Sequence, residues 1–257
     1  ETQKVFDDAR SLLERIVEGE WLHAEAAYGL FPANSVVDDL IVYADGDRRD
    51  ERLRFCALRQ QQEAQKGEYL ALSDFLAPQE TGLEDHLGAF AVTCGLGVEE
   101  HVGRFESEHD DYSAIMLQAL ADRLAEAFSE LLHKYVREAW GYGREEALSV
   151  EDLIRERYRG IRPAPGYPAC PDHSEKRALF DLLEVEAQTP IRLTESFAMV
   201  PPASICGLYF AHPQSRYFSL GRIGRDQVAD YAGRKGMTIP EVERWLAPNL
   251  GYEPGDE

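Results

Sequence analysis

The run Arg162-Pro163-Ala164-Pro165-Gly166-Tyr167-Pro168-Ala169-Cys170-Pro171-Asp172-His173 constrains this chain more than any other stretch. Each proline holds φ near about −65°, removes a backbone donor and pushes the residue before it out of helical space. The backbone there is expected to run extended, with its carbonyls free. A rigid strap with an arginine at its entrance and a Gly-Tyr step inside can line a groove and offer main-chain hydrogen bonds at little entropic cost. Composition alone leaves a stiff connecting loop equally open.

The chain has 257 residues, which suits one large domain or two small ones. With 44% hydrophobic and 29% charged residues and no apolar run long enough to cross a bilayer, it reads as soluble and globular, with no membrane role. No signal peptide is expected, and the charged, helical start reads as a domain cut from a longer protein or as an internal boundary. A formal net charge of −20 argues against nucleic acid as a partner, since phosphates call for a basic surface. Basic residues nevertheless bunch at Arg155, Arg157, Arg159 and Arg162, and again at Arg222, Arg225, Arg234 and Lys235. Such clusters form either a rim for an anionic ligand or acidic partner, or solvated helix faces. Cys56, Cys94, Cys170 and Cys206 are scattered without a Cys-x-x-Cys, as free thiols in a reducing compartment would be.

Taken in order, residues 3–18 place Val5, Phe6, Ala9, Leu12, Leu13 and Ile16 at helical spacing. The pattern turns irregular over Gly29–Asn34. Leu40–Tyr43 and the alternating Leu53, Phe55 and Ala57 then predict a hairpin about Asp45-Gly46-Asp47. A polar run, Arg59–Lys66, follows, and Gly88–Cys94 reads as a short buried strand. Gly95-Leu96-Gly97 lacks the third glycine of a dinucleotide loop. His101, His109, Asp110 and Asp111 read as a loop and solvated cap before the longest helical signal, about Asp111 to Trp140, with Leu117, Leu120, Leu124, Phe128, Leu131 and Tyr135 on its apolar face. Gly141 and Gly143 end it, and Ser149-Val150-Glu151-Asp152 caps a short helix reaching Arg157.

Beyond the strap, Ser174–Glu186 predicts a helix stopped by Pro190. Ile191–Val200, Ile205–Ala211 and Arg216–Leu220 predict strands, the last two as an antiparallel hairpin. Helices over about 225–235 and 239–247 close the chain, the second opened by a capping box at Thr238–Glu241. Helices and strands do not alternate regularly, so the expected class is α+β, an antiparallel sheet with flanking helices. No metal site is expected, because Cys170-Pro171-Asp172-His173 offers one Cys-x-x-His pair without a second, and no His-Glu-x-x-His occurs. Spacing alone draws no Ser/His/Asp or Cys/His nucleophile.

Arg162, Gly166 and Tyr167 form an Arg-x-x-x-Gly-Tyr pattern within Tyr158–His173, and this segment closely resembles the S-adenosylmethionine-binding activation domain of cobalamin-dependent methionine synthase. The segments Leu193–Met199, Gly207–Pro213, Asp226–Ala232 and Val242–Tyr252 resemble the same family in the same order, and the likeness reaches back to Gly29–Asn34. The resemblance implies a single domain over residues 1–257, with a curved, helmet-like α+β fold unrelated to the usual methyltransferase Rossmann fold.

It also implies a function. The domain would bring S-adenosylmethionine to inactive cob(II)alamin on a separate cobalamin-binding module, with one electron from a flavodoxin-like donor. Methylcobalamin would be regenerated for cytoplasmic methionine biosynthesis from homocysteine. The alternatives are a S-adenosylmethionine sensor or docking module without methyl transfer, and a self-contained methyltransferase.

The ligand carries a carboxylate, an ammonium, a sulfonium and a flat adenine, so its site needs a cation, an acid and aromatic or main-chain edges. The resemblance gives Arg162 the carboxylate, which a guanidinium can hold bidentately. It places ligand contacts at Tyr217 and Phe218, one through the side chain and the other through the backbone if both lie on a strand. Gly166, Tyr167 and the carbonyls of Ala164 and Ala169 are expected on the adenosine side. Glu126 and Glu156 match acidic positions facing the groove. The family also uses an aspartate well upstream of the first matching block, so the domain reads as shortened at its N-terminal end, with an incomplete ammonium pocket.

Overall fold

A computed structural model describes residues 2–61 and 68–255. Most of the polar run Arg59–Lys66 lies outside them. The centre is a five-stranded sheet in the order β3 (Glu51–Cys56), β2 (Asp39–Tyr43), β1 (His23–Val36), β4 (Asp85–Leu96) and β7 (Ser204–Tyr209). Every neighbouring pair is antiparallel. β5 (Arg192–Leu193) and β6 (Met199–Val200) form a separate small ladder. The α+β expectation holds.

The predicted hairpin pairs Leu40 with Phe55 and Val42 with Leu53, which puts one apolar row on one face. Gly29–Asn34, expected to be irregular, is instead the middle of β1, with Tyr28 opposite Phe90 and Pro32 opposite His86. Glycine and proline are weak strand residues, but pairing with the buried β4 overrides them. Pro32 also stands one position before the β2 pairing begins at Ala33 and Val42.

Eight helices are described: α1 (Thr2–Glu18), α2 (Val98–Ser107), α3 (Asp111–Trp140), α4 (Val150–Ile154), α5 (Glu175–Leu183), α6 (Val185–Gln188), α7 (Arg225–Lys235) and α8 (Ile239–Trp245). α3 runs 30 residues, capped by Asp110, whose carboxylate accepts from the Ser113 N–H, and ended by Gly141 at φ 108°. It lies on one face of the sheet, where Leu132 and Val136 pack with Phe90, Val92 and Tyr209. The opposite face carries the main core, in which Leu179, Phe180 and Leu183 of α5 meet Leu40, Phe55, Leu87 and Leu208. α7 and α8 close a third cluster around Leu220, Ile223, Val228 and Tyr231.

The face of α3 that meets the protein differs from the expected one. Leu117 is buried as expected, but Leu131 and Tyr135 are 42% and 52% exposed. The buried row runs through Ala121, Ala125, Ser129, His133 and Arg137. Small residues let the rod approach the sheet closely, and an apolar count overlooks them.

Other expectations are corrected too. His101 lies on α2, not in a loop, and stacks on Trp21 at 4.5 Å. The helix after the strap is interrupted at Glu184, which adopts φ 51° between α5 and α6. α4 stops at Ile154 rather than Arg157. Ile191–Val200 contributes only the short β5 and β6. Arg216–Leu220 forms no strand. The position beside β7 that it was expected to fill is taken by the strap.

Candidate ligand-binding groove

Residues 161–163 lie along the edge of β7. Ile161 and Phe210 exchange both backbone bonds, at 3.1 and 3.0 Å, and the Leu208 N–H donates to the Pro163 carbonyl at 2.9 Å. Pro163 can serve there because this ladder position asks it only to accept. Gly207 makes the approach possible, since a Cβ on it would stand 2.8 Å from the Pro163 oxygen. The Arg162 N–H donates instead to the Tyr217 hydroxyl at 3.1 Å.

The strap is extended only as far as Pro165. Gly166 takes φ 98°, its N–H donates to the Cys170 carbonyl at 2.7 Å, and the Ala164 and Tyr167 carbonyls accept from Tyr167 and Cys170. The Pro168 carbonyl accepts from the Leu220 N–H at 2.8 Å. These bonds correct the expectation of free carbonyls. Proline stiffness sets the backbone angles, but one glycine in left-handed space is enough to fold the run back on itself.

A groove of about 530 Å³ opens between this strap, α3 and the sheet. Phe90 and Ile205 of the sheet, Glu126 and Ser129 of α3, Arg162–Ala164 and Tyr167–Ala169 of the strap, and Tyr217–Ser219 line it. Seven of the nine residues singled out from the sequence therefore meet in one cavity: Arg162, Ala164, Tyr167, Ala169, Tyr217, Phe218 and Glu126. Gly166 and Glu156 are not on its wall. Gly166 shapes the turn, and Glu156 stands 3.5 Å from the Arg162 guanidinium. Tyr217 and Phe218 share the groove without the expected strand. The Phe218 ring packs edge-on against Phe75 at 6.4 Å, while the Tyr217 hydroxyl receives the Arg162 N–H.

Sequence reasoning missed the groups behind Arg162. Its Nη2 lies 2.8 Å from Glu130 Oε2, its Nη1 donates to the Tyr158 hydroxyl, and that hydroxyl donates to Glu130 Oε2 at 3.1 Å. Glu130 stands four residues after Glu126, so helical spacing already puts both on one face of α3. Burial opposes the Arg162 charge, but Tyr158, Glu130, Tyr217 and Glu156 outweigh it and its pKa is raised. Glu126 forms an exposed pair with Arg123 at 2.8 Å.

Below this lies a fully buried pair, His133 and Arg137. The Arg137 guanidinium sits 3.8 Å from the centre of the Tyr158 ring and binds Glu146 through Nε at 2.9 Å. His133 stacks on Tyr209 at 4.7 Å, and burial pushes its pKa down to about 2.

Most of the other bunched basic residues are engaged internally. Arg155 and Arg157 pair with Glu151 and Asp152, Arg222 donates to the Leu250 carbonyl, and Arg234 pairs with Asp39 and Asp230. Lys235 reaches Asp172 and Glu175 at 2.7 and 2.8 Å. The four cysteines are free thiols. No helix among the described residues is long and apolar enough to cross a membrane.

Sheet, strap and groove together define a domain class in which an extended proline-rich segment closes one sheet edge and forms a wall of the cavity. The profile of the family described as "Vitamin B12 dependent methionine synthase, activation domain" matches residues 1–236. A solved structure described as "Crystal Structure of the MetH Reactivation Domain bound to AdoHcy" is similar at 53% identity and a TM-score of 0.94, covering 98% of this chain and 78% of that one. The chain belongs to the activation-domain family of vitamin B12 dependent methionine synthase.

Proposed function

We propose that the groove binds S-adenosylmethionine and presents its methyl group to a cobalamin-binding module, so that inactive cob(II)alamin is reductively methylated with an electron from a flavodoxin-like donor. The pathway served is methionine formation from homocysteine, in the cytoplasm. One observation carries this reading: residues far apart in the chain, from Glu126 to Phe218, converge on one groove with Arg162 in its wall. Its volume suits a nucleoside-sized ligand. The similar reactivation domain was solved with AdoHcy, the thioether that remains when S-adenosylmethionine gives up its methyl.

The sulfonium supplies an already activated methyl group, so the protein needs no general base. Its task is placement. Arg162 holds the carboxylate of the amino-acid tail. Tyr167, Ala164 and Ala169 form the adenosine wall, with Gly166 turning the strap so that they face the groove. Tyr217 and Phe218 add an aromatic wall, and Glu126 contributes negative charge toward the ammonium and sulfonium, while Glu156 acts from beside the Arg162 guanidinium, off the groove wall. The methyl is offered at the open mouth.

Titration calorimetry with S-adenosylmethionine tests binding. Arg162→Ala is expected to cost about 2 kcal/mol, roughly thirtyfold in affinity. Unchanged affinity would sink the reading. Incubation with a cobalamin module, reductant and methyl-labelled ligand tests the reaction: label on cobalt supports it, while binding without transfer identifies a sensor or docking module.

A further inference from the structure

We infer that Glu130 is the positioning residue for Arg162. Together with the Tyr158 hydroxyl it fixes the guanidinium so that its remaining edge meets the carboxylate of the ligand's amino-acid tail. This rests on the reading of the groove as the S-adenosylmethionine site.

Glu130, Tyr158 and Arg162 form a closed ring of contacts, each touching the other two. Two carboxylates flank the guanidinium, and burial separates their roles. The side chains of Arg162 and Glu130 are 19% and 17% exposed and meet at 2.8 Å, whereas Glu156 is 42% exposed and stands at 3.5 Å. The inner pair is shielded from water and salt, and the outer contact is not. Tyr158 is held in turn, with Arg137 against one face of its ring at 3.8 Å and His133 edge-to-face at 5.1 Å.

Glu130 does not line the groove, although Glu126 and Ser129 on the same helix do. One of its oxygens, Oε1, is buried without a hydrogen-bond partner among the described residues, so the carboxylate is turned into the protein. Any effect of Glu130 on the ligand therefore passes through Arg162. A guanidinium has five N–H donors in a fixed plane. Glu130 and, more distantly, Glu156 draw on Nη2 and Tyr158 on Nη1, which leaves Nε and the second hydrogens of the fork for the carboxylate of the ligand. The ligand joins the ring rather than breaking it, and the arginine does not have to be ordered on binding.

The test compares S-adenosylmethionine with its decarboxylated analogue, which lacks only the group Arg162 holds. The wild-type chain is expected to prefer the carboxylated form, and Arg162→Ala to abolish that preference. Glu130→Gln, nearly the same shape, is expected to weaken S-adenosylmethionine about tenfold and leave the analogue unchanged. Tyr158→Phe should act in the same direction and carries the test if Glu130→Gln does not fold.

Equal weakening of both ligands would mean a merely structural role and would overturn the inference. Tighter S-adenosylmethionine binding would overturn it too, by making Glu130 a competitor for the guanidinium, as would no change at all. If Arg162→Ala keeps the preference, the reading of the groove itself falls, and this inference with it. If Arg162→Ala loses the preference and the Glu130 and Tyr158 variants keep it, only the role of Glu130 is lost.

Discussion

Gly207 on β7 lies directly beneath Pro163: a Cβ there would sit 2.8 Å from the Pro163 carbonyl oxygen and 2.8 Å from the Phe90 ring. Both neighbours are fixed, one by its bond to Leu208 and the other in the sheet. Gly207→Ala is therefore expected to destabilise the fold by about 1–3 kcal/mol, as overpacking does. It should also lift the strap and weaken ligand binding. Urea denaturation and calorimetry check this, and a variant that keeps both stability and affinity would show that the strap has room to move.

Gly166 combines two constraints. Its φ of 98° is costly for any residue with a side chain, and a Cβ would stand 2.2 Å from the His173 ring. Gly166→Ala is expected to cost about 1–3 kcal/mol from the backbone alone, with more from the collision. Adding His173→Ala should recover the collision part only. A double variant no more stable than the single one would contradict that division.

Lys235 sits between Asp172 and Glu175, whose side chains are 2% and 5% exposed. Tyr231 also donates to Asp172, at 2.8 Å. Lys235→Met leaves two buried carboxylates without their cation, and the expected loss is about 3–5 kcal/mol at neutral pH. The loss should shrink as pH falls below neutral, because burial raises the Glu175 pKa and protonation removes the uncompensated charge. Denaturation at several pH values reads both effects.

His133 is held neutral in the folded chain, mainly by burial and then by Arg137 and Arg162, with its pKa pushed down to about 2. Its unfolded value is near 6.5, so between these limits the unfolded chain binds one more proton. The stability linked to this group is complete above about pH 6.5 and falls with pH below it, by up to about 1.4 kcal/mol per unit. His133→Phe should remove that contribution. Comparing the pH slopes of the two proteins between about pH 7 and about pH 5 checks it, and identical slopes would refute the assignment.

Much of the candidate groove was legible because its lining residues are of unusual type or spacing. Prolines, glycines and an arginine mark the strap, and the resemblance located Tyr217 and Phe218. The error over Arg216–Leu220 arose because its composition suits a strand, whereas the edge it would have paired with is bonded to Ile161 and Pro163. Strand composition does not reveal which segment wins an edge. Glu130, Tyr158 and Arg137 stayed hidden for another reason. Charged helix residues are usually solvated, and only the close seat of α3, permitted by Ala121, Ala125 and Ser129, brings Glu130 and Arg137 inward, where Tyr158 from the segment after α4 meets both.

The strap takes its hydrogen bonds from β7 on one side and from the segment at Leu220 on the other. Neither support is its neighbour in sequence, so a synthetic peptide copying residues 158–173 would carry the right letters and lack the shape. Recognition by the proposed site is a property of the finished domain: its ligand can be met only after distant parts of the chain have come together. Whatever loosens their assembly will register first as weakened capture, well before the polypeptide as a whole unravels.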